Sequence, residues 1–192
     1  MKHKAYYSAN PVKQIVSLVI MLIVSVAVVF GSVAVSNAVE KNNSKSVDLD
    51  FTVTKTIPYT LQRNKLGVTE VEKAFDSQNN LVAYVITGTA VGYNTQTPIK
   101  MATTVTADGK VVCGVEIISQ AETEYLGVRI VTDDFKNQFV NKKLPVSASN
   151  SLEKGSKIDM IAKSTISSQA VIDGVNNAAE YVNTFLLNDE KI

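Results

Sequence analysis

Four hydroxyl side chains lie within residues 164–168, Ser-Thr-Ile-Ser-Ser, and Lys163 precedes them. An apolar pattern at helical spacing follows. Serine and threonine before a helix usually cap it, because the side-chain oxygen accepts a free N–H of the first turn. Ser167 or Ser168 alone would serve as that cap. A helix start also binds anions, phosphate in particular, and Lys163 could pair with one. The sequence therefore favours a cap and leaves a phosphate site open.

The rest of the composition narrows the chemistry further. Cys113 is the only cysteine and His3 the only histidine. A disulfide within the chain is thus excluded, and metal centres or catalytic triads built on these residue types are disfavoured. The net charge of +1 gives no electrostatic case for nucleic acid. We expect chemistry from Asp, Glu, Lys, Tyr, Ser and Thr, or from a bound organic cofactor.

The middle of the chain has the composition of β-strands. Residues 81–93 are rich in β-branched and aromatic side chains, and residues 99–119 form two apolar runs around Asp108-Gly109, which predicts a hairpin. The second run has apolar side chains on both faces, as in a central, well-covered strand that includes Cys113 as a small core residue. Residues 68–75 fit either a short helix or a strand.

Two helices are predicted after the strands. Phe135 and Phe139 are four residues apart, on one face of a short helix capped by Thr132 or Asp133. We interpret Asp133-Asp134 as part of that helix start rather than as a metal site. Residues 141–157 are polar and loop-like, and the C-terminal helix follows them. The predicted fold class is α+β: an antiparallel sheet covered by a C-terminal helix.

The N-terminal part predicts one transmembrane helix. Residues 15–39 contain no charged side chain and exceed the roughly 20 residues that span a bilayer. Lysines in residues 1–14 place that end in the cytoplasm, residues 40–67 form a tether and entry segment, and residues 68–192 form an extracytoplasmic domain. A cleaved signal peptide, cut near residues 36–38, is the alternative, although its apolar core would be shorter.

Three segments resemble a known family. Residues 90–119, 121–130 and 158–176 are similar in order and spacing to the FMN-binding domain of the Rnf complex G subunit and of the sodium-translocating NADH:quinone reductase C subunit. In that family a threonine carries FMN through a phosphoester. Thr165 falls on the threonine position, whereas Lys163 and Tyr125 stand where the family has glycine.

The resemblance implies FMN as cofactor, with no catalytic residue and no metal. The residues it assigns to the attachment site and the flavin pocket are Asp159, Lys163, Ser164, Thr165, Ser167 and Ser168, together with Glu122, Thr123, Leu126 and Gly127. The implied function is electron transfer within a membrane-bound, ion-translocating Rnf-type complex, with its other membrane subunits and a flavin transferase as partners. The alternative is a divergent family member without covalent flavin that acts as a structural or assembly subunit.

Overall fold

The computed structural model describes residues 47–187. The predicted transmembrane segment, residues 15–39, lies outside the described residues. Among residues 47–187, no helix is both long enough and apolar enough to cross a membrane.

Six strands form one antiparallel sheet in which every strand pairs with its neighbour in sequence. They are β1 (Lys55–Pro58), β2 (Val68–Phe75), β3 (Leu81–Ala90), β4 (Ile99–Thr106), β5 (Val111–Ser119) and β6 (Lys142–Lys143). A separate two-stranded parallel ribbon consists of β7 (Val146–Ala148) and β8 (Ser156–Ile158). Helix α1 is Asp133–Lys136, between two 3₁₀ turns at Gly127–Val131 and Asn137–Phe139. Helix α2 is Thr165–Tyr181 and continues as a π-helical turn over Val182–Leu186.

Helix α2 packs against β3 and β4 near the middle of the sheet. Its contact with β4 is close at Gly174, where an added β-carbon would lie 2.6 Å from the sulfur of the buried Met101. Apolar residues of both elements, including Ile99 and Val175, form the core between them. The prediction of an antiparallel sheet covered by a C-terminal helix is confirmed.

Residues 68–75, which fit a helix or a strand in the sequence, are the strand β2. Val71 pairs with Ile86 and Ala74 pairs with Ala83, and both are buried although they lie on opposite faces. A register shift follows Val68. Burial on both faces and a β-bulge thus replace the period of two that normally identifies a strand.

The hairpin around Asp108-Gly109 is confirmed, and its connection is the four residues 107–110 rather than two. Gly109 has φ +71°, whereas Asp108 does not adopt a positive φ. An added β-carbon at Gly109 would also meet the Asn183 side chain. Cys113 lies in β5 and is buried, as predicted.

The prediction of an irregular polar loop over residues 141–157 is wrong in part, because β6, β7 and the start of β8 lie there. The Asn176 side chain accepts a hydrogen bond from Val146 N–H (3.0 Å) and donates one to Val146 O (2.9 Å), which ties β7 to helix α2. Upstream, β1 extends the sheet from within the segment predicted as tether and entry. Gln62 N–H there donates to the Tyr181 hydroxyl at 2.7 Å.

Candidate functional site

A cleft of about 470 Å³ lies where helix α2 begins. Its size falls within the range of about 300–1,000 Å³ that is typical of small-molecule and cofactor sites. Three chain segments line it: Tyr93, just after β3; Thr123, Leu126 and Gly127; and residues Lys163 to Ser167. The two segments that the sequence assigned to one site therefore meet in the structure.

The helix start differs from the predicted one. Thr165 is the first residue of α2 and Ser164 occupies the N-cap position, and no side chain caps the helix. Ser168 Oγ instead donates to Ser164 O (2.9 Å) and accepts from Ile161 N–H (3.1 Å). The expectation that Ser167 or Ser168 is the cap is wrong, because both lie inside the first turn and face buried partners.

Glu122 joins the three segments that line the cleft. Its carboxylate, in a residue that is 7% exposed, accepts hydrogen bonds from Ser167 Oγ (2.5 Å), Tyr93 N–H (3.1 Å) and Asn94 N–H (3.2 Å). A buried carboxylate is tolerated only when donors of this kind compensate for lost water. Glu122 thereby fixes the loop, the strand end and the helix against one another.

Gly127 permits this close packing. A β-carbon at Gly127 would lie 2.8 Å from Glu122 Cβ and 3.0 Å from Ser167 Oγ. Any larger residue would push the loop away from the helix start. We therefore assign the glycine in this loop to packing beside Glu122, since its φ is not positive.

Lys163 and Tyr125 adopt left-handed backbone conformations, with φ +65° and +63°. These are the two positions at which the resembling family has glycine. Glycine is the residue that enters this region without steric cost. The chain thus keeps the backbone conformation expected of glycine while presenting a lysine at the cleft and, at Tyr125, an aromatic ring that is 85% exposed.

Two neighbouring hydroxyls at the helix start differ in environment. Thr165 is exposed and lines the cleft. Ser164 also lines the cleft, is only 6% exposed, and its Oγ has no hydrogen-bond partner among residues 47–187. A buried hydroxyl without a partner is uncommon, which indicates that a ligand oxygen fits beside it.

Two of the predicted site residues do not line the cleft. Asp159 is exposed, and its backbone N–H donates to the side chain of Gln138 at 2.7 Å. Ser168 is fully buried behind the helix start. Conversely, the sequence did not single out Tyr93 or Ile166, although both line the cleft. The signal for Tyr93 was the Gly-Tyr pair that ends the strand segment.

Comparison with known proteins gives a consistent result. Residues 92–180 match the family model described as FMN-binding domain. The chain is 36% identical over 110 residues to the G subunit of the ion-translocating oxidoreductase complex of Methanosarcina acetivorans, which covers 57% of this chain and 56% of that protein. It is 36% identical over 125 residues to the G subunit of the proton-translocating ferredoxin:NAD(+) oxidoreductase complex of Clostridium ljungdahlii, covering 64% and 65%. The match therefore spans between half and two thirds of these relatives.

Two solved structures share the fold. NqrC of Shewanella oneidensis has a TM-score of 0.52 at 17% identity, covering 76% of this chain and 71% of that one. The C subunit of the Na(+)-translocating NADH-quinone reductase of Parabacteroides distasonis has a TM-score of 0.50 at 18% identity, covering 68% and 76%. At these identities the likeness concerns the fold alone.

Proposed function

Since residues 92–180 belong to the FMN-binding domain family, we propose that this protein carries FMN as an electron-transfer subunit of a Rnf-type ion-translocating oxidoreductase complex. The observation that carries the proposal is the cleft at the start of α2. It gathers both segments assigned to the flavin and exposes the Thr165 hydroxyl at its lining. Bound FMN would supply reversible electron uptake, and the protein would supply position and electrostatics.

The proposed attachment point is Thr165. A phosphoester bond between Thr165 Oγ1 and the FMN phosphate would hold the flavin over the cleft, and a flavin transferase would form it. The hydroxyl is exposed, as an acceptor for another enzyme must be. Glu122 would keep the cleft open in one shape by fixing its three segments, while Thr123, Leu126 and Gly127 form its opposite side.

The proposed location follows from the sequence and from the relatives. Residues 15–39 would anchor the chain in the cell membrane, with residues 1–14 in the cytoplasm and the flavin domain outside. A covalent bond suits that location, because no pool of free FMN there would replace a lost cofactor. Proteins similar to this chain are named as subunits of complexes, so the partners proposed here are the other membrane subunits of such a complex.

The test is in-gel flavin fluorescence. The full chain is co-expressed with a flavin transferase and run on a denaturing gel, and its intact mass is measured. We expect a fluorescent band with the added mass of one FMN moiety. Thr165→Val should be dark, whereas Thr97→Val, an exposed threonine outside the lining of the cleft, should stay fluorescent.

A dark wild-type band with the mass of the bare chain would refute flavin attachment. It would instead favour a family member without covalent flavin that serves as a structural or assembly subunit. The specific feature behind that alternative is the presence of Lys163 and Tyr125 at positions where glycine is expected.

A further inference from the structure

We propose that Lys163, Ser164 and the first-turn N–H groups of residues 165–167 form a phosphate-binding site that holds a phosphate ester before any covalent bond exists. Two of its side chains, Lys163 and Ser164, replace the glycine and alanine of the resembling motif. Assigning the bound phosphate to FMN rests on the proposed function, whereas the site itself depends only on these residues.

The first argument is the Ser164 hydroxyl. It is buried, it lines the cleft, and it has no hydrogen-bond partner within residues 47–187. A hydroxyl both donates and accepts, so an unpaired one facing a cleft is matched by a ligand oxygen. An alanine at this position would leave no such group. Ser164 is therefore interpreted as a donor held in readiness for a ligand.

The second argument is the open helix start. A serine at the N-cap position normally accepts a hydrogen bond from the first turn. Ser164 does not, and no other side chain does so. Helix α2 is 17 residues long, and its N-terminus is positive because the peptide dipoles align. The N–H groups that a cap would have satisfied remain available to phosphate oxygens.

The third argument is the charge of Lys163. Its side chain lines the cleft, and its ammonium makes no ion pair or hydrogen bond with the described part of the chain. The left-handed backbone at φ +65° sets the residue immediately before the helix start. A free cation next to open N–H groups favours a charged phosphate over a neutral molecule. The site should accordingly distinguish FMN from riboflavin, which lacks the phosphate.

The test uses the full chain produced without a flavin transferase and purified in detergent. Binding of FMN and of riboflavin is followed by quenching of flavin fluorescence, and inorganic phosphate is added as competitor. We expect FMN to bind at least about ten-fold more tightly than riboflavin. Phosphate should displace FMN and leave bound riboflavin unaffected.

Variants assign the effect to the two side chains. Ser164→Ala and Lys163→Gly should each weaken FMN binding by about five-fold or more without changing riboflavin binding. Lys154→Gly removes an exposed lysine outside the lining of the cleft and should change neither. The unliganded Ser164→Ala protein should melt no lower than wild type, because the lost hydroxyl has no partner. A merely structural hydroxyl would instead lower the melting temperature.

The proposal is overturned if FMN and riboflavin bind equally, if phosphate does not compete, or if the two variants bind FMN like wild type. These outcomes are independent of the denaturing gel. A chain that binds FMN selectively but shows a dark band keeps this site and loses the covalent bond. A fluorescent band without phosphate selectivity keeps the covalent carrier and loses this site.

Discussion

Individual backbone conformations decide how the departures from the family motif are understood. By sequence, Lys163 and Tyr125 each remove a glycine and so suggest a changed loop. In the structure both residues keep the positive φ that glycine would adopt. The path of the chain around the cleft is therefore retained, and the substitutions act through local strain and through the new side chains.

Relief of that strain is measurable at Lys163. Lys163→Gly should make the flavin-free protein more stable than Lys163→Ala by about 1 kcal/mol, since only glycine enters the left-handed region freely. Both variants remove the same charge, so the comparison isolates the backbone. Urea unfolding followed by circular dichroism measures the difference. Equal free energies of unfolding would mean that Lys163 is not left-handed.

Glu122 should be more important for stability than its charge alone suggests. Glu122→Ala would leave the N–H groups of Tyr93 and Asn94 and the Ser167 hydroxyl without their acceptor. Unpaired buried donors are costly, and we expect a loss of about 3 kcal/mol in the free energy of unfolding. The exposed neighbour Glu124 provides the control, because Glu124→Ala should change stability by less than about 0.5 kcal/mol. A similarly small effect of Glu122→Ala would contradict the proposed clasp.

Cys113 should behave as a core residue. Burial, with a smaller contribution from the charge of Asp108, raises the pKa of the Cys113 thiol to about 12. The reactive thiolate is therefore scarce at neutral pH. Alkylation by iodoacetamide should be at least about 100-fold slower in the native protein than in urea. Rapid native labelling would show that β5 is open to solvent.

At the scale of elements, the β4–β5 hairpin and the start of α2 are each stabilised by side-chain hydrogen bonds close in sequence. In the hairpin, Thr106 Oγ1 donates to Asp108 at 2.6 Å and Lys110 N–H donates to the same oxygen at 3.1 Å. Burial opposes ionisation of Asp108, but these hydrogen bonds and the charge of Lys110 outweigh it and lower its pKa. The turn thus depends on the charged carboxylate.

This dependence predicts a pH effect on the hairpin. Because the pKa of Asp108 is lower in the folded than in the unfolded chain, the carboxylate stabilises the fold above about pH 4. The contribution is lost as the pH falls through the folded-state value. Asp108→Asn should therefore be less stable than wild type at pH 7, and the difference should shrink towards about pH 2. Asp134→Asn, in an exposed residue, is the control; a pH-independent difference for Asp108→Asn would contradict the role of its charge.

At the scale of the whole molecule, the proposed arrangement is a flavin domain attached to a membrane anchor. Deleting residues 1–40 should move the protein from the membrane fraction to the soluble fraction, because residues 15–39 supply the apolar run. The domain should still unfold cooperatively, since strands β1–β6 and helix α2 all follow the deletion. The intact mass of the full-length protein separates a retained anchor from a signal peptide cut near residue 38. Full-length protein found only in the soluble fraction would contradict the anchor.

The sequence by itself determined the fold class, the hairpin, both helices and the segments that form the cleft. Apolar periodicity, turn residues and the family motif are local properties, and these elements follow from them. It did not determine β2, the ribbon of β7 and β8, or the true start of α2, because burial on both faces and pairing with distant residues leave no local pattern.

The tertiary structure alone decided how the site is assembled. Glu122 meets Ser167, 45 residues further along the chain, and the N–H groups of a strand end. Ser164 is left without a partner among the described residues only because Ser168 turns towards Ile161. Lys163 and Tyr125 keep a glycine-like backbone. Each of these features depends on contacts between segments far apart in sequence, and such contacts arise only when the helix docks on the sheet.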